Sequence, residues 1–246
     1  MNLRVLQWLT IPMSISENLA VARERIAAAA HRAGRSPKEI TLMAVSKTQS
    51  AESIREAYAA GQRLFGENRV QEFSGKAPSL QDLKDAEWHL IGHLQTNKAA
   101  KAAELFQAVD SVDSLKLAEK LDAAARNAGK TLHVLVEVNV GGEAAKSGVT
   151  PGSPALEELL AAAPRLEALR FRGFMTVPPF TDDPKGARPY FRKLRELRDE
   201  IARRKLPDVA MDQLSMGMSH DFEIAIAEGS TCVRVGTAIF GVRTKA

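Results

Sequence analysis

The stretch LSMGMSHDFEIAIAEGSTCVRVGTAIFG, residues 214–241, contains strand-like runs at either end of a segment rich in Ala, Ile and Glu. We interpret MDQLSMG (211–217) and CVRVGTAIFG (232–241) as strands, and the segment between them as a helix. A strand, a helix and a second strand in this order form a parallel unit, because the helix carries the chain back across the sheet. The unit predicts an α/β fold.

The same alternation runs through the rest of the chain. Several of the runs are apolar nearly throughout, as in parallel strands that are buried on both faces. About eight strand–helix repeats predict a single (β/α)8 TIM barrel. An open doubly wound sheet is the competing fold, but it usually has fewer strands, and no GxGxxG follows the first strand here. The other strand-like runs are ITLMAVS (40–46), RLFGE (63–67), WHLIG (88–92), AVDSV (108–112), LHVLVEVNV (132–140) and LRFRGFMTV (169–177).

Helical segments are marked by caps and by apolar residues at steps of three and four. Ser14 and Glu17 form a capping box that opens an extra N-terminal helix before the first strand. Further helices are expected at 114–128 and 153–163, and a basic amphipathic helix at 188–205. The arginines of the last helix alternate with carboxylates, which favours a solvated face over a nucleic-acid site.

The composition is that of one globular domain, with 246 residues, 45% apolar and 26% charged. We predict a barrel domain over residues 14–246 and a poorly ordered extension over residues 1–13. The single cysteine, Cys232, excludes an intrachain disulfide and cysteine-based metal cages, and it fits a reducing cytosol, so we expect a cytoplasmic protein. No stretch approaches the roughly 20 apolar residues of a membrane helix, and a net charge of +4 is too small to indicate nucleic acid. We expect a monomer.

Lys47 directly follows the first predicted strand, at the end where barrels place their functional groups. A lone lysine in this place is compatible with a solvated side chain that caps the strand. For a lone lysine we favour this interpretation over the alternative, a partly desolvated amine with a lowered pKa that forms an imine. The residue alone does not decide between these two interpretations.

The loops after the last two strands have the composition of a phosphate site. Ser219 is expected to cap the helix that follows strand seven, and Gly236 and Thr237 end strand eight. Barrels often bind phosphate with these two loops and a nearby helix start, although ordinary capping and tight turns would give the same residues. Arg234 in the last strand points either into the barrel, where it needs a partner, or outward towards a carboxylate.

His89 and His93 have the spacing of a zinc-binding pair, but they lie in a strand-like run rather than on a helix. Residues four apart in a strand do not converge on one ion as they do on a helix. We therefore expect no metal site.

Several motifs together resemble one known family. In chain order they are AVSKTQ, FGENRVQE, WHLIGHLQTNK, VLVEVNVGGEAAKSGV, RGFMTV and LSMGMSHDFEIAIAEGSTCVRVGTAIFG. The resemblance as a whole extends from about Ser14 to Arg243. In these motifs the chain resembles the pyridoxal phosphate homeostasis proteins (the YggS/PROSC family). The resemblance implies a fold like the N-terminal barrel of alanine racemase. It also implies a role in binding, carrying or buffering pyridoxal 5'-phosphate (PLP), the active form of vitamin B6.

The resemblance implies particular site residues. Lys47 would carry PLP as an internal aldimine, a Schiff base, and Arg234 would lie near the pyridine nitrogen. Ser219, Gly236 and Thr237 would hold the phosphate. The full predicted cofactor-binding set is Lys47, Asn68, Met216, Ser219, Arg234, Gly236 and Thr237, with Met175 as a further pocket wall.

The residues also bear on whether the chain is an enzyme. An arginine beside the pyridine nitrogen cannot accept a proton, so it weakens the electron-sink chemistry on which PLP catalysis depends. Racemisation also needs acid–base groups on both faces of the substrate carbon, and we expect no second domain to supply them. We predict a PLP carrier or buffer without robust turnover and with no catalytic residue, in contact with PLP-dependent apo-enzymes. An amino-acid racemase is the alternative, and an RNA- or partner-binding module using the basic helix ranks third.

Overall fold

The computed structural model describes residues 13–143 and 146–241. Eight parallel strands close into a barrel in chain order, with Thr41 of the first strand opposite Cys232 of the last. This confirms the (β/α)8 TIM barrel that the strand–helix alternation predicts. The strands are β1 (Thr41–Val45), β2 (Leu64–Glu67), β3 (Glu87–Leu90), β4 (Ala108–Val112), β5 (Leu132–Glu137), β6 (Leu169–Met175), β7 (Val209–Met218) and β8 (Cys232–Val235).

Helices follow the strands and surround the barrel. Those predicted at 114–128, 153–163 and 188–205 are present within two residues of the expected bounds. The helices are α1 (Ile15–Arg32), α2 (Ala51–Ala59), α3 (Val70–Lys76), α4 (Ala99–Leu105), α5 (Leu115–Asn127), α6 (Pro154–Ala161), α7 (Arg188–Arg204), α8 (Phe222–Ala227) and α9 (Thr237–Phe240).

The extra N-terminal helix begins at the predicted capping box. The Glu17 backbone N–H donates to Ser14 Oγ at 3.2 Å, and the Ser14 backbone N–H donates to Glu17 Oε2 at 2.7 Å. The helix buries Leu19 and Ile26, and it packs beside α8 and α9. Of the predicted extension over residues 1–13, all but Met13 lies outside the described residues.

Two predicted strands are too long by three residues or more at their C-terminal ends. The run 232–241 is strand only as far as Val235, and Thr237–Phe240 forms the short helix α9, whose last N–H donates to Gly236 O. The run 132–140 leaves the sheet after Glu137. Short apolar runs do not distinguish strand from buried helix, so the place where the chain leaves the barrel is not visible in the sequence.

The main core lies between the barrel and its surrounding helices. Alternate strand residues point outward into this layer, whereas the intervening ones point into the barrel. In the described part of the chain no helix has the length and apolar composition needed to cross a bilayer. The largest fully buried side chains of the core include Phe65, Phe73, Phe106, Phe171, Phe174, Phe191 and Phe222.

Candidate functional site

A cavity of about 600 Å³ opens at the C-terminal ends of the strands. Its volume falls in the usual range for small-molecule and cofactor sites, and this end of the barrel is where such sites form. Six of the seven residues predicted to bind a cofactor line it. They are Lys47, Asn68, Ser219, Arg234, Gly236 and Thr237.

Lys47 lies two residues after the last residue of β1 and is partly buried at the cavity wall. The preceding residue, Ser46, remains tied to the barrel because its backbone N–H donates to Gly66 O at 3.0 Å. The residue after it, Thr48, has a positive φ of 64°, which turns the chain sharply away from the strand direction. The lysine therefore leaves the barrel at a tight, defined turn.

Asn68 follows β2 and lies against the loop after β3. A Cβ atom added at Gly92 would come within 2.2 Å of the Asn68 carbonyl oxygen, so only glycine permits this approach of the two loops. The close contact holds Asn68 at the cavity wall.

Ser219 corrects one expectation from the sequence. We expected it to cap the helix after β7, but α8 begins at Phe222 with Asp221 at the N-cap position. Ser219 Oγ instead accepts from the backbone N–H groups of Gly236 and Ala238, at 3.2 and 3.4 Å. Ser219, in the loop after β7, therefore fixes the backbone at the start of α9. This contact places Ser219 beside Gly236 and Thr237.

Arg234 points into the barrel, which settles the choice between its inward and outward orientations. The side chain donates to Ser215 Oγ and to the Thr176 carbonyl oxygen, each at 2.7 Å, and only 3% of the residue is exposed. Burial lowers the pKa of the guanidinium, although nearby acidic groups oppose this effect. The arginine has the hydrogen-bond partners that its burial requires.

The two predicted methionines lie elsewhere. Met216 is fully buried in the hydrophobic core and Met175 is fully buried as well, and neither is among the described residues that line the cavity. Side chains alternate along β7, so Ser215, which faces Arg234, places its neighbour Met216 on the opposite face. Met216 is thus a packing residue of the barrel wall.

Glu137 is a cavity residue that the sequence interpretation missed. It ends β5, and Ser147 Oγ lies 3.1 Å from each of its carboxylate oxygens. Burial raises the pKa of Glu137, an effect that the Ser147 hydrogen bond partly offsets. The available signal was a carboxylate between two valines in the mainly apolar run LHVLVEVNV, a position that needs a polar partner.

The two histidines that share zinc-like spacing lie at opposite ends of the barrel. His93 lines the mouth cavity, with its Nδ1 3.3 Å from Asp113 Oδ2. His89 lines a second cavity at the other end, with its Nδ1 3.2 Å from Asp110 Oδ1. Among the residues that the structure describes, no group of three or more potential metal ligands occurs.

Comparison with known proteins identifies the family. Residues 18–244 match the family described as alanine racemase, N-terminal domain. A pyridoxal phosphate homeostasis protein of Aquifex aeolicus (strain VF5) is 48% identical over 231 residues, which cover 94% of this chain and 99% of the relative. The chain belongs to the pyridoxal phosphate homeostasis protein family. This confirms the family resemblance that the motifs carry.

Solved structures agree with this family assignment. PipY of Synechococcus elongatus PCC7942, determined with PLP bound, is 39% identical with a TM-score of 0.78, covering 93% of this chain and 100% of PipY. The alanine racemase of Streptomyces coelicolor A3(2) shares the fold at 24% identity and a TM-score of 0.65, and the chain spans 59% of that enzyme. The pyridoxal phosphate homeostasis family thus has the barrel of the racemases.

Proposed function

We propose that this chain binds PLP through a Schiff base on Lys47 and serves PLP homeostasis as a carrier or buffer without robust turnover. The observation that carries the proposal is the convergence of six predicted cofactor residues on one cavity of about 600 Å³. They lie at or after the ends of β1, β2, β7 and β8, which are far apart in sequence. The PLP bound to PipY, a relative that the chain covers completely, supports the same ligand.

The residues present fit the cofactor. Lys47 supplies an amine at the cavity wall, directly after β1, that would hold the cofactor aldehyde as an imine. Ser219, Gly236 and Thr237 meet at one side of the cavity, where the Ser219 and Thr237 hydroxyls lie on a backbone turn that Ser219 Oγ fixes by accepting from the Gly236 N–H. Such groups suit a phosphate, which is an acceptor of several hydrogen bonds. When it is bound, PLP supplies an electron-withdrawing ring.

Arg234 is the reason for proposing carriage rather than catalysis. Its guanidinium has donors and no acceptor, so it cannot hold a proton on a pyridine nitrogen placed against it. A neutral ring withdraws electrons from a substrate carbon less strongly than a protonated one. Because Arg234 is fixed by Ser215 and Thr176, this electronic setting is built into the barrel.

A racemase-like enzyme is the second candidate, because two acid–base groups line the cavity. Glu137 has a raised pKa from burial, and His93 is paired with Asp113. The candidate predicts exchange of the α-proton of free amino acids in deuterated water at a rate that depends on Glu137. We expect the PLP-loaded protein to show no such exchange above that of free PLP.

The decisive test compares the visible spectra of wild type, Lys47→Ala and Lys116→Ala after addition of PLP. Lys116 is exposed on α5 outside the cavity and serves as the control. We expect a protonated-imine band near ~420 nm in wild type and Lys116→Ala, and no such band in Lys47→Ala. Borohydride reduction followed by peptide mass analysis should then place the cofactor on Lys47. If the band persists in Lys47→Ala, the anchor is a different residue and the proposal fails.

The cytoplasmic location, the monomeric state and the transfer of cofactor to apo-enzymes stay predictions. If the protein transfers its cofactor, the loaded wild type should activate a PLP-dependent apo-enzyme faster than a mixture of Lys47→Ala and the same concentration of PLP. Sedimentation of the purified protein would test the monomer.

A further inference from the structure

The residues on both sides of Lys47 are held by one polar network that extends from the barrel interior to the surface. We call it the Lys76 network, and it consists of Ser46, Thr48, Glu67, Glu72 and Lys76. Ser46 and Thr48 flank Lys47 in sequence, Glu67 ends β2, and the other two lie on α3. The network lies beside the turn that carries Lys47.

Lys76 is the centre of the network. Its ammonium donates to the Ser46 carbonyl oxygen at 3.2 Å, to Glu67 Oε1 at 2.9 Å and to Glu72 Oε1 at 3.2 Å. Ser46 Oγ also donates to Glu67 Oε1, at 2.6 Å. Lys76 uses all three of its N–H donors, and one of them donates to the backbone carbonyl of Ser46, the residue before Lys47.

Thr48 is held on the other side of Lys47. Its backbone has a φ of 64°, a region that β-branched residues strongly disfavour, and its N–H donates to Glu72 Oε1 at 2.5 Å. Lys76 fixes Glu72 from the next turn of α3. A residue in such a conformation persists only where its surroundings hold it there. Glu72, positioned by Lys76, is the side chain that does so, beside the Gln49 N–H that closes the turn by donating to the Ser46 carbonyl oxygen at 3.0 Å.

Stability alone is a poor reason for this arrangement. Glu67 is fully buried, burial raises the pKa of its carboxyl, and no hydrogen bond reaches Glu67 Oε2 from the described residues. Lys76 is largely buried as well, with 14% of its side chain exposed. Burying an ion pair costs so much desolvation that apolar side chains of the same size often stabilise a protein more. The benefit of the pair therefore lies in fixing a conformation.

We infer that Lys76 is a positioning residue for Lys47, acting through Ser46 on one side and through Glu72 and Thr48 on the other. The inference rests on the proposed function, because it gives Lys76 a role in PLP binding. Lys76 does not itself contact the cavity. Loss of the Lys76 ammonium should make the turn at residues 46–48 more mobile. The Lys47 amine would still be present, but cofactor binding should weaken.

The test uses Lys76→Met, Glu72→Ala, Lys76→Arg and the control Lys101→Met. Lys101 pairs with Glu104 on the exposed face of α4 at 2.8 Å, so the control removes an ion-paired lysine that is remote from Lys47. Two quantities are measured below the melting temperature of every variant. The first is exchange of the Thr48 amide hydrogen in the protein without PLP, and the second is the PLP affinity from titration of the imine band.

We expect Thr48 amide exchange to rise about tenfold or more in Lys76→Met and Glu72→Ala, the effect of losing one charge-assisted hydrogen bond. Amides of β4 should keep the wild-type rate. PLP affinity should fall about tenfold in both variants, recover in Lys76→Arg and stay unchanged in Lys101→Met. A lower melting temperature with no change in either quantity would assign the network a purely structural role and overturn the inference.

Two safeguards separate the possible failures. If Lys76→Met does not fold, Glu72→Ala still tests the inference. Glu72 is partly exposed, and without it Lys76 keeps its ion pair with Glu67. If wild type forms no imine with PLP, the proposed function fails and the cofactor part of the inference fails with it. If wild type binds PLP through Lys47 and Glu72→Ala binds it within twofold of wild type, only the inference is wrong.

Discussion

Both ends of the barrel contain a cavity with charged side chains in its wall, but these charged groups are arranged differently. At the N-terminal end, a cavity of about 540 Å³ is lined by charges that pair with one another. The pairs are Arg35 with Glu39, His89 with Asp110, and Arg172 with Asp212. At the mouth, the polar groups of Lys47, Ser219 and Thr237 follow the ends of three strands and converge on the cavity.

This difference indicates which end of the barrel is suited to binding a ligand. Paired charges have little left to offer a ligand, and the Cys232 thiol at the N-terminal end is inert because burial raises its pKa to about 12. Loops at the mouth can vary without disturbing the strands, which is why barrels place their functional groups there. The proposed function therefore assigns ligand binding to the mouth and stabilisation of the barrel to the N-terminal end. The following predictions test this division, in order of decreasing effect.

The same substitution at the two ends gives the sharpest contrast. Arg234→Met leaves Ser215 and the Thr176 carbonyl without their buried donor, so the free energy of unfolding should fall by about 2 kcal/mol. PLP affinity should fall at least about tenfold, because Arg234 lines the cavity. Urea unfolding and titration of the imine band measure the two effects.

Arg172→Met is the matched control at the N-terminal end. Its ion pair with Asp212 is partly exposed, so the loss should stay below about 1 kcal/mol and PLP affinity should not change. Equal loss of PLP affinity in the two variants would contradict the division between the ends.

Asp110→Asn should remove the pH-dependent contribution that the His89–Asp110 pair makes to the free energy of unfolding. Burial disfavours protonation of His89, but the Asp110 carboxylate outweighs this effect, so the net pKa of His89 is raised. A raised pKa in the folded state stabilises the protein fully below the unfolded value, about 6.5, and this stabilisation disappears as the pH rises through the folded value.

The difference in unfolding free energy between wild type and Asp110→Asn should therefore be about 1 kcal/mol larger at pH 5.5 than at pH 8.5. Urea unfolding at the two pH values measures it. The control Asp113→Asn, which removes the partner of the exposed His93 at the mouth, should show a smaller change. A difference for Asp110→Asn that does not vary with pH would disprove the role of the buried pair.

Phe180→Ala should have the smallest effect. The ring is 78% exposed at the cavity rim, so the free energy of unfolding should change by less than about 0.5 kcal/mol. Phe174→Ala, at a fully buried ring of the core, should cost about 3 to 5 kcal/mol in the same urea experiment. A large loss at Phe180 would show that the rim contributes to the folded state.

The motif residues were predictable because they follow strands. A lysine after an apolar run, and a serine and glycine after two later runs, fall at the same barrel end once the strands are parallel. The prediction failed where a side chain's direction mattered. Met216 lies next to a residue that faces the barrel interior, and a motif match cannot say which of two neighbours on a strand points inward.

Sequence by itself determined the barrel, the extra N-terminal helix and the position of Lys47, because these depend on local periodicity and on strand ends. Only the tertiary structure decided which distant groups meet. It placed His89 and His93 at opposite ends of the barrel, although they are four residues apart, and it moved the capping role of Ser219 to α9. It also brought Lys76 to the Lys47 turn. Closing the barrel sets these contacts, and burial makes them matter, because desolvated polar groups must find partners wherever the fold brings them.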